Sequence, residues 1–258
     1  MTTKTLSPRA LSVIDQYLHF RIGAAVCSVP YFNNKIAKTR ASLPVRVGKG
    51  SPKEISEEVE ALVVKNHVDI DRLADESLKK LLVDNNIGID CSGFAYYVLD
   101  AESEDLRKGS LRKNLRIVRP MGFFSRFSYA MHPEKNVDVA LLADDKNSQV
   151  VSLKGLRAGD LVTMMTGSSE DERNHVLIIH NVDYEHLLPV RLHYSHAIGY
   201  PEDGLYGSGI KQGVIEITEI TKPITEQRWI EGGKTGGENR LFMRAHKSKT
   251  ELRRLKWF

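Results

Sequence analysis

The order of hydrophobic and polar positions divides the chain into a helical first part and a β-rich second part. Four stretches have helical periodicity, and they begin near residues 8, 52, 70 and 91. Ser7-Pro8 and Ser51-Pro52 each place a capping residue before a proline at the first helical position, which favours a helix start. Glu54, three residues after Ser51, also predicts a capping box there. We expect the first helix to reach about residue 25 and the third to end near residue 83.

From residue 137 onward the pattern is typical of β-strands separated by turn-rich segments. The predicted strands are residues 137–142, 149–151, 160–165, 175–182, 190–198, 213–221 and 239–244. Short neighbouring strands with tight connections favour an antiparallel sheet, which we expect to curl into a partial barrel. Helices followed by strands predict an α+β fold, with N-terminal helices packed on that sheet.

Composition is that of an ordinary globular protein, since 41% of the residues are hydrophobic and 27% are charged. We interpret residues 1–258 as a single domain, with a helical insertion at residues 33–88. The net charge of +4 is mild, but basic residues gather in a C-terminal tail, residues 244–258. We expect this tail to be solvated, with one side docked on the protein through Leu252, Leu255, Trp257 and Phe258, and weak contact with an anionic polymer is the alternative.

Two cysteines, Cys27 and Cys91, are too few for a disulfide framework, so we expect free thiols. Arg9 and Asp15 interrupt the apolar positions near the N-terminus, so we predict neither a signal peptide nor a membrane span. This pattern favours a cytoplasmic protein or one exported by a non-classical route. The segment between the helices and strands holds Phe123, Phe124 and Phe127, which we predict as core residues or, alternatively, as a groove lining.

The candidate nucleophile is Cys91, within Asp90-Cys91-Ser92-Gly93 at the start of the fourth helix. In the first helical turn, unpaired N–H groups and the helix dipole favour an anion, so we expect a lowered thiol pKa. The N–H groups near Cys91 and Ser92 are also placed to bind the oxyanion of a tetrahedral intermediate. The alternative is an inert cysteine in the core.

Three histidines on two predicted strands are candidates for activating this cysteine. His175 opens its strand, and a thiol nucleophile needs such a base. Strand alternation puts His196 on the apolar side and His193 towards water, so we assign the residue that orients His175 to His196 and keep His193 as the alternative. A metal site formed with His180 is disfavoured, because alternation puts that residue on the opposite face from His175. We predict no metal and no cofactor.

The succession Asp-Cys-Ser-Gly-Phe, Gly-Asp-Leu-Val, His-Val-x-Ile and His-Ala resembles the NlpC-type cell-wall peptidases within the papain-like cysteine peptidases. An upstream Pro30-Tyr31 is similar to the Pro-Tyr segment of that family, and the resemblance implies that the Tyr31 hydroxyl helps to hold the oxyanion. The chain departs from the family after this tyrosine, where Phe32-Asn33-Asn34 replaces Trp-Gly-Gly.

This resemblance implies a Cys91, His175 and His196 triad that hydrolyses an amide through a thioester intermediate. It also implies a peptide or peptidoglycan-derived substrate, cleaved on the carboxyl side of a D-glutamyl residue. Two alternatives stay open. Papain-like folds also include lipid acyltransferases and thioesterases, and a binding module with an inactive site is the third hypothesis.

Overall fold

The computed structural model describes residues 1–33, 43–116, 133–167 and 173–258. The helices in these ranges are Pro8–Leu18 (α1), Pro52–Lys65 (α2), Asp75–Asp84 (α3), Cys91–Asp105 (α4), Leu111–Asn114 (α5), Pro133–Asn136 (α6), Val139–Ala143 (α7) and Arg240–Lys247 (α8). The strands are Thr2–Thr5 (β1), Phe20–Ile22 (β2), Ala25–Cys27 (β3), Ser148–Val150 (β4), Leu161–Met165 (β5), His175–Glu185 (β6), Leu188–Ile198 (β7), Gly209–Glu216 (β8), Arg228–Glu231 (β9), Lys234–Thr235 (β10) and Lys249–Leu255 (β11). The protein therefore has an α+β fold.

One antiparallel sheet organises the molecule. Its order is β10-β9-β8-β7-β6-β5-β11-β4, and β1 adds to the far end of β6. The two long strands β6 and β7 form its centre, with Ile178 opposite Ser195. This register brings the first residue of β6 close to the last third of β7, where His175 and His196 lie.

Both faces of the sheet are buried, as alternation along β6 shows. Val176 and Ile178 pack with the helical layer that contains α1 and α4, whereas Leu177 and Ile179 pack into a second core on the other face. Trp229 and α8, through Leu241, cover that second core. Both cores hold the central strands in fixed positions, so side chains at their ends are placed accurately.

Part of the helical insertion lies in the described residues. α2 begins with the predicted capping box, because Ser51 accepts from the backbone of Glu54 and the Glu54 carboxylate accepts from the backbone of Ser51. The third helix begins later than predicted, at Asp75, because residues 70–72 form a separate 3₁₀ turn. Residues 34–42 of the insertion and the aromatic cluster Phe123, Phe124 and Phe127 lie outside the described residues.

Three predicted elements are wrong, and each error has a local cause. The first helix ends at Leu18, and residues 20–27 form the β2–β3 hairpin around Gly23, whose φ is +58°. Residues 139–143 and 240–247 are helices rather than strands. Each of these two helices has an N-cap side chain, Asp138 bonded to Leu141 N–H and Asn239 bonded to Phe242 N–H, which stabilises its first turn.

The prediction that residues 244–258 form a solvated tail is also wrong, whereas the docking of Leu252, Leu255, Trp257 and Phe258 on the protein is confirmed. Within this segment, β11 is an inner strand of the sheet, between β5 and β4. Its cations are neutralised by carboxylates: Arg253 pairs with Asp145 at 2.9 Å and Arg254 with Asp160 at 2.7 Å. These pairs leave less free positive charge in residues 244–258 than the sequence suggested. Contact of this segment with an anionic polymer stays a prediction. Separately, among the described residues no helix combines the length and apolarity needed to cross a membrane.

Candidate active site

Cys91 is the first residue of α4, and a rigid loop presents it. Asp90 caps the helix, because its carboxylate accepts from the Gly93 N–H at 2.7 Å. Ile89, just before the cap, pairs with Tyr31 on one side and with Lys49 on the other. These backbone pairings hold the turn into α4 from both sides, so the position of the cysteine is fixed before any substrate binds.

Two glycines allow this close packing. Gly48 has a φ of +75°, and a Cβ there would lie 2.2 Å from the Phe32 carbonyl oxygen. A Cβ on Gly93 would lie 2.9 Å from the Gly48 carbonyl oxygen and 2.8 Å from Ile89. The glycine of the Asp-Cys-Ser-Gly sequence is therefore required because the first turn of α4 touches the neighbouring loop.

A buried lysine fixes the polar side chains around the cap. Lys49 is 6% exposed, and its ammonium donates to the Asp90 carboxylate at 2.7 Å, the Ser92 hydroxyl at 2.6 Å and the Val137 carbonyl at 2.7 Å. Because the Ser92 hydroxyl is engaged here, its side chain is not directed at a substrate. What remains at this helix start is the N–H pair of Cys91 and Ser92, for which the described residues provide no acceptor.

Cys91 is 5% exposed, and its helix packs against β6. The backbone N–H of Val176, next to His175, favours the thiolate form of the sulfur. Burial, followed by the negative charge of Asp90, raises the pKa of the thiol to about 11, although Lys49 and the Val176 N–H act in the opposite direction. The expected lowering of this pKa is therefore wrong, because desolvation of the thiolate outweighs the helix dipole.

His175 and His196 are in direct contact. His175 Nε2 and His196 Nδ1 are 2.8 Å apart, and the two rings meet edge to face. Both are buried, with exposed fractions of 2% and 0%. Burial, followed by the positive charge of Arg244 and the neighbouring His196 ring, lowers the pKa of His175 well below its ordinary value. The hydrogen bonds of the described residues do not include one between the His175 ring and the Cys91 sulfur.

Behind His196 lies a buried carboxylate that the sequence did not indicate. The Glu231 carboxylate accepts from His196 Nε2 at 2.7 Å, from the Tyr194 hydroxyl at 3.1 Å and from the Tyr200 hydroxyl at 2.7 Å. Burial alone would raise the pKa of Glu231, but the interaction with His196 and the two tyrosine hydroxyls hold it below the ordinary value. Glu231 is thus ionised at neutral pH.

The tautomers of both histidines follow from this carboxylate. An ionised Glu231 can only accept, so the neutral form of His196 carries its proton on Nε2 and has a free electron pair on Nδ1. His175 must then donate from Nε2 to that atom, which leaves its own Nδ1 as an acceptor. The relay from Glu231 through His196 therefore leaves the second ring nitrogen of His175 unprotonated.

The other two histidines belong to a separate network. His193, the alternative to His196, bonds to the Asp183 carboxylate at 2.9 Å, and His180 bonds to the Ser195 hydroxyl at 3.0 Å. Burial and the neighbouring His193 lower the pKa of His180 to about 4. Among the described side chains, no group of three or more histidine, cysteine or acidic residues could hold a metal ion.

Tyr31 pairs with Ile89, two residues before Cys91, so it lies near the start of α4. Burial is the largest of the effects that raise the pKa of its hydroxyl, and the charge of Cys91 is the next. The Asn33 amide donates to the Tyr31 oxygen at 3.1 Å. Because the oxygen accepts this bond and stays protonated, the hydroxyl hydrogen can be donated to another acceptor.

The structure pairs His175 with His196 and bonds His193 to Asp183 instead. Cys91 begins the helix that packs against the strand His175 opens, and Tyr31 pairs with Ile89 two residues before Cys91. Three further groups at the site were missed from the sequence, namely Lys49, Glu231 and Arg244. Glu231 follows a Trp-Ile pair in β9, and that short alternating run was the one local signal for a strand.

No known protein family matches this chain. Among curated proteins and solved structures there is likewise no match. The function must therefore be argued from the geometry of the site itself.

Proposed function

We propose that this protein is a cysteine hydrolase that cleaves an amide bond, with Cys91 as nucleophile and His175 as general base. The observation that carries the proposal is the buried row of hydrogen bonds from Glu231 through His196 to His175, which opens the strand against which the helix of Cys91 packs. A nucleophile, a base and a group that orients the base are the parts that covalent catalysis requires.

The resting site holds a neutral thiol and a neutral imidazole, since the pKa of Cys91 is raised and that of His175 is lowered. Attack therefore proceeds with general-base catalysis. The sulfur bonds to the substrate carbonyl carbon, the carbonyl electron pair moves to oxygen, and the thiol proton passes to Nδ1 of His175. The thiol and the ring approach to hydrogen-bonding distance in the substrate complex, as catalytic contacts commonly tighten on binding.

Collapse of the intermediate breaks the carbon–nitrogen bond, and His175 gives its proton to the leaving amine. Water then attacks the thioester with His175 again as base, releasing the acid and the free thiol. In both steps the imidazolium that forms is stabilised by Glu231 through His196. The N–H groups of Cys91 and Ser92 and the Tyr31 hydroxyl are the donors for the oxyanion.

We further propose that the fold is papain-like, of the NlpC type. The support is the order of parts: a tyrosine segment, a nucleophile at a helix start, and an antiparallel sheet whose first central strand opens on a histidine. The substrate class follows from this resemblance, not from a cavity around Cys91. On that basis the substrate is a peptide amide of the kind found in peptidoglycan stem peptides.

Incubation with three substrate classes tests the reaction. We expect new amino groups from muropeptides and no release of fatty acid or thiol from phospholipids or thioesters. A Cys91→Ala variant is the control, because any activity that survives in it comes from a contaminant. Acyl transfer from phospholipid without amide cleavage would favour the lipid acyltransferase alternative, and no turnover of any substrate would favour a binding module.

Alkylation kinetics test the neutral resting pair. In a Cys27→Ser background, iodoacetamide reacts with Cys91 as the thiolate, so the rate will rise with pH up to the thiol pKa of about 11. At pH 7 the raised pKa leaves less thiolate than an ordinary cysteine has, and alkylation will be slower than that of a small-molecule thiol. Fast alkylation that is independent of pH between about 5 and 7 would instead indicate a preformed thiolate.

A further inference from the structure

An arginine from the far side of the sheet reaches the candidate active site. Arg244 lies on α8, and its guanidinium donates to the backbone carbonyl of Arg173, two residues before His175. The side chain is half-buried. This contact holds the positive charge at the start of β6, the strand against which the helix of Cys91 packs.

The charge of Arg244 has no counter-ion in the described part of the chain. Its Nε is buried without any hydrogen-bond partner. Neighbouring arginines differ in this respect: Arg240, one turn earlier on α8, pairs with Glu202 at 3.1 Å, and Arg254 pairs with Asp160 at 2.7 Å. A half-buried cation that lacks an anion is costly, so a ligand that supplies one would be bound favourably.

This cation faces the groups that would carry out the reaction. Its charge acts on Cys91, Tyr31 and His175, and on Tyr200 beside Glu231. The planar guanidinium matches the geometry of a carboxylate and stays charged at all relevant pH values. An anion bound here would lie beside the reacting carbonyl rather than at a remote surface.

We infer that Arg244 binds a carboxylate of the substrate next to the scissile amide, so that the preferred acyl donor is an anionic peptide amide. The inference rests on the proposed function, because it assigns specificity to the same site. Binding of the carboxylate also neutralises the charge that opposes protonation of His175. The base becomes stronger when the correct substrate is present, so the carboxylate increases kcat as well as lowering KM.

A matched pair of peptides tests this role. N-acetyl-L-alanyl-γ-D-glutamyl-L-lysine carries a free carboxylate beside the γ-amide, and its isoglutaminyl form replaces that carboxylate with a carboxamide. Wild-type protein should hydrolyse the first with a kcat/KM roughly 10- to 100-fold higher, the usual worth of a charge-assisted hydrogen bond. Arg244→Gln should remove this preference by slowing only the carboxylate peptide, and Arg244→Lys should restore part of it.

Arg240→Gln is the control, because it removes one positive charge from the same helix without touching the site. It should keep the wild-type preference. If Arg244→Gln lowers kcat/KM equally for both peptides at an unchanged melting temperature, the inference is overturned in favour of a positioning role. Equal rates for both peptides in the wild type would also overturn it.

Calorimetry with the Cys91→Ala protein separates this inference from the proposed function, because binding needs no turnover. Tighter binding of the carboxylate peptide, lost in Cys91→Ala/Arg244→Gln, supports the role of Arg244 even if the wild type hydrolyses neither peptide. If the wild type hydrolyses the peptides but the Cys91→Ala protein binds both with equal affinity, the proposed hydrolase stands and the carboxylate site is rejected.

Discussion

Replacing Cys91 with serine will abolish amide hydrolysis, lowering kcat/KM by at least about 10⁴-fold, as loss of a catalytic nucleophile does in other hydrolases. Serine keeps the size and the helix start, but its hydroxyl is a far weaker acid than the thiol. His175, whose pKa is already well below its ordinary value, is too weak a base to activate it. The measurement is the rate of amine release from the stem-peptide substrate.

Cys27→Ser provides the matched control. Cys27 ends β3, is partly buried, and also has a thiol pKa raised to about 11 by burial. It therefore shares the chemistry of Cys91 without the neighbouring histidines, and the rate should stay within about threefold of the wild type, as for a substitution remote from the chemistry. A Cys27→Ser variant as inactive as Cys91→Ser would contradict the assignment of the nucleophile.

The second large effect is expected at the relay behind His175. His196→Leu removes the acceptor for His175 Nε2, so the ring can take the wrong tautomer and lose its free Nδ1. We expect a fall in kcat of about 10³- to 10⁴-fold, the size seen when a residue that orients a catalytic histidine is lost. Glu231→Gln keeps the shape of the side chain but removes the negative charge that stabilises the imidazolium. It should lower kcat by about 10²-fold or more.

His193→Leu is the control for this relay. It removes a histidine from the same strand, β7, whose ring bonds to Asp183 instead of to His175. Its kcat should be close to that of the wild type. If His193→Leu is inactive while His196→Leu is active, the relay has been assigned to the wrong histidine. Melting temperatures of all three variants will distinguish loss of catalysis from loss of fold.

Much of this site could be predicted from the sequence because its signals are local. Cys91 follows an N-cap aspartate, and in β7 the apolar Leu192 and Tyr194 alternate with the polar Arg191 and His193, so the helix start and the buried position of His196 are each visible in one short window. The predicted capping box of α2 has the same origin. Such signals depend on neighbours within four residues.

Glu231 and Arg244 could not be found in this way, because their roles depend on non-local pairing. Glu231 reaches His196 only through the pairing of β8 with β9, which places it opposite Gly213. A Cβ at Gly213 would lie 2.2 Å from the Tyr194 hydroxyl, so the absence of a side chain there leaves room for that hydroxyl to reach Glu231. Arg244 was assigned to a strand, since the cap at Asn239 was not recognised.

The protonation of the site was also predicted wrongly, for a physical reason. The position of Cys91 at a helix start predicts a lowered thiol pKa. The pKa is raised instead because Cys91 is only 5% exposed, and the extent of its burial depends on how α4 packs against β6. Packing of that kind cannot be read from one segment.

Trapping the thioester on Cys91 tests the central claim most directly. The protein is mixed with the stem-peptide substrate, quenched in acid within milliseconds to seconds, and analysed by intact mass and peptide mapping. We predict an acyl adduct on the peptide that contains Cys91, absent from Cys27 and absent in His175→Ala. Hydrolysis with no adduct on Cys91, or an adduct that forms equally fast in His175→Ala, would contradict the account.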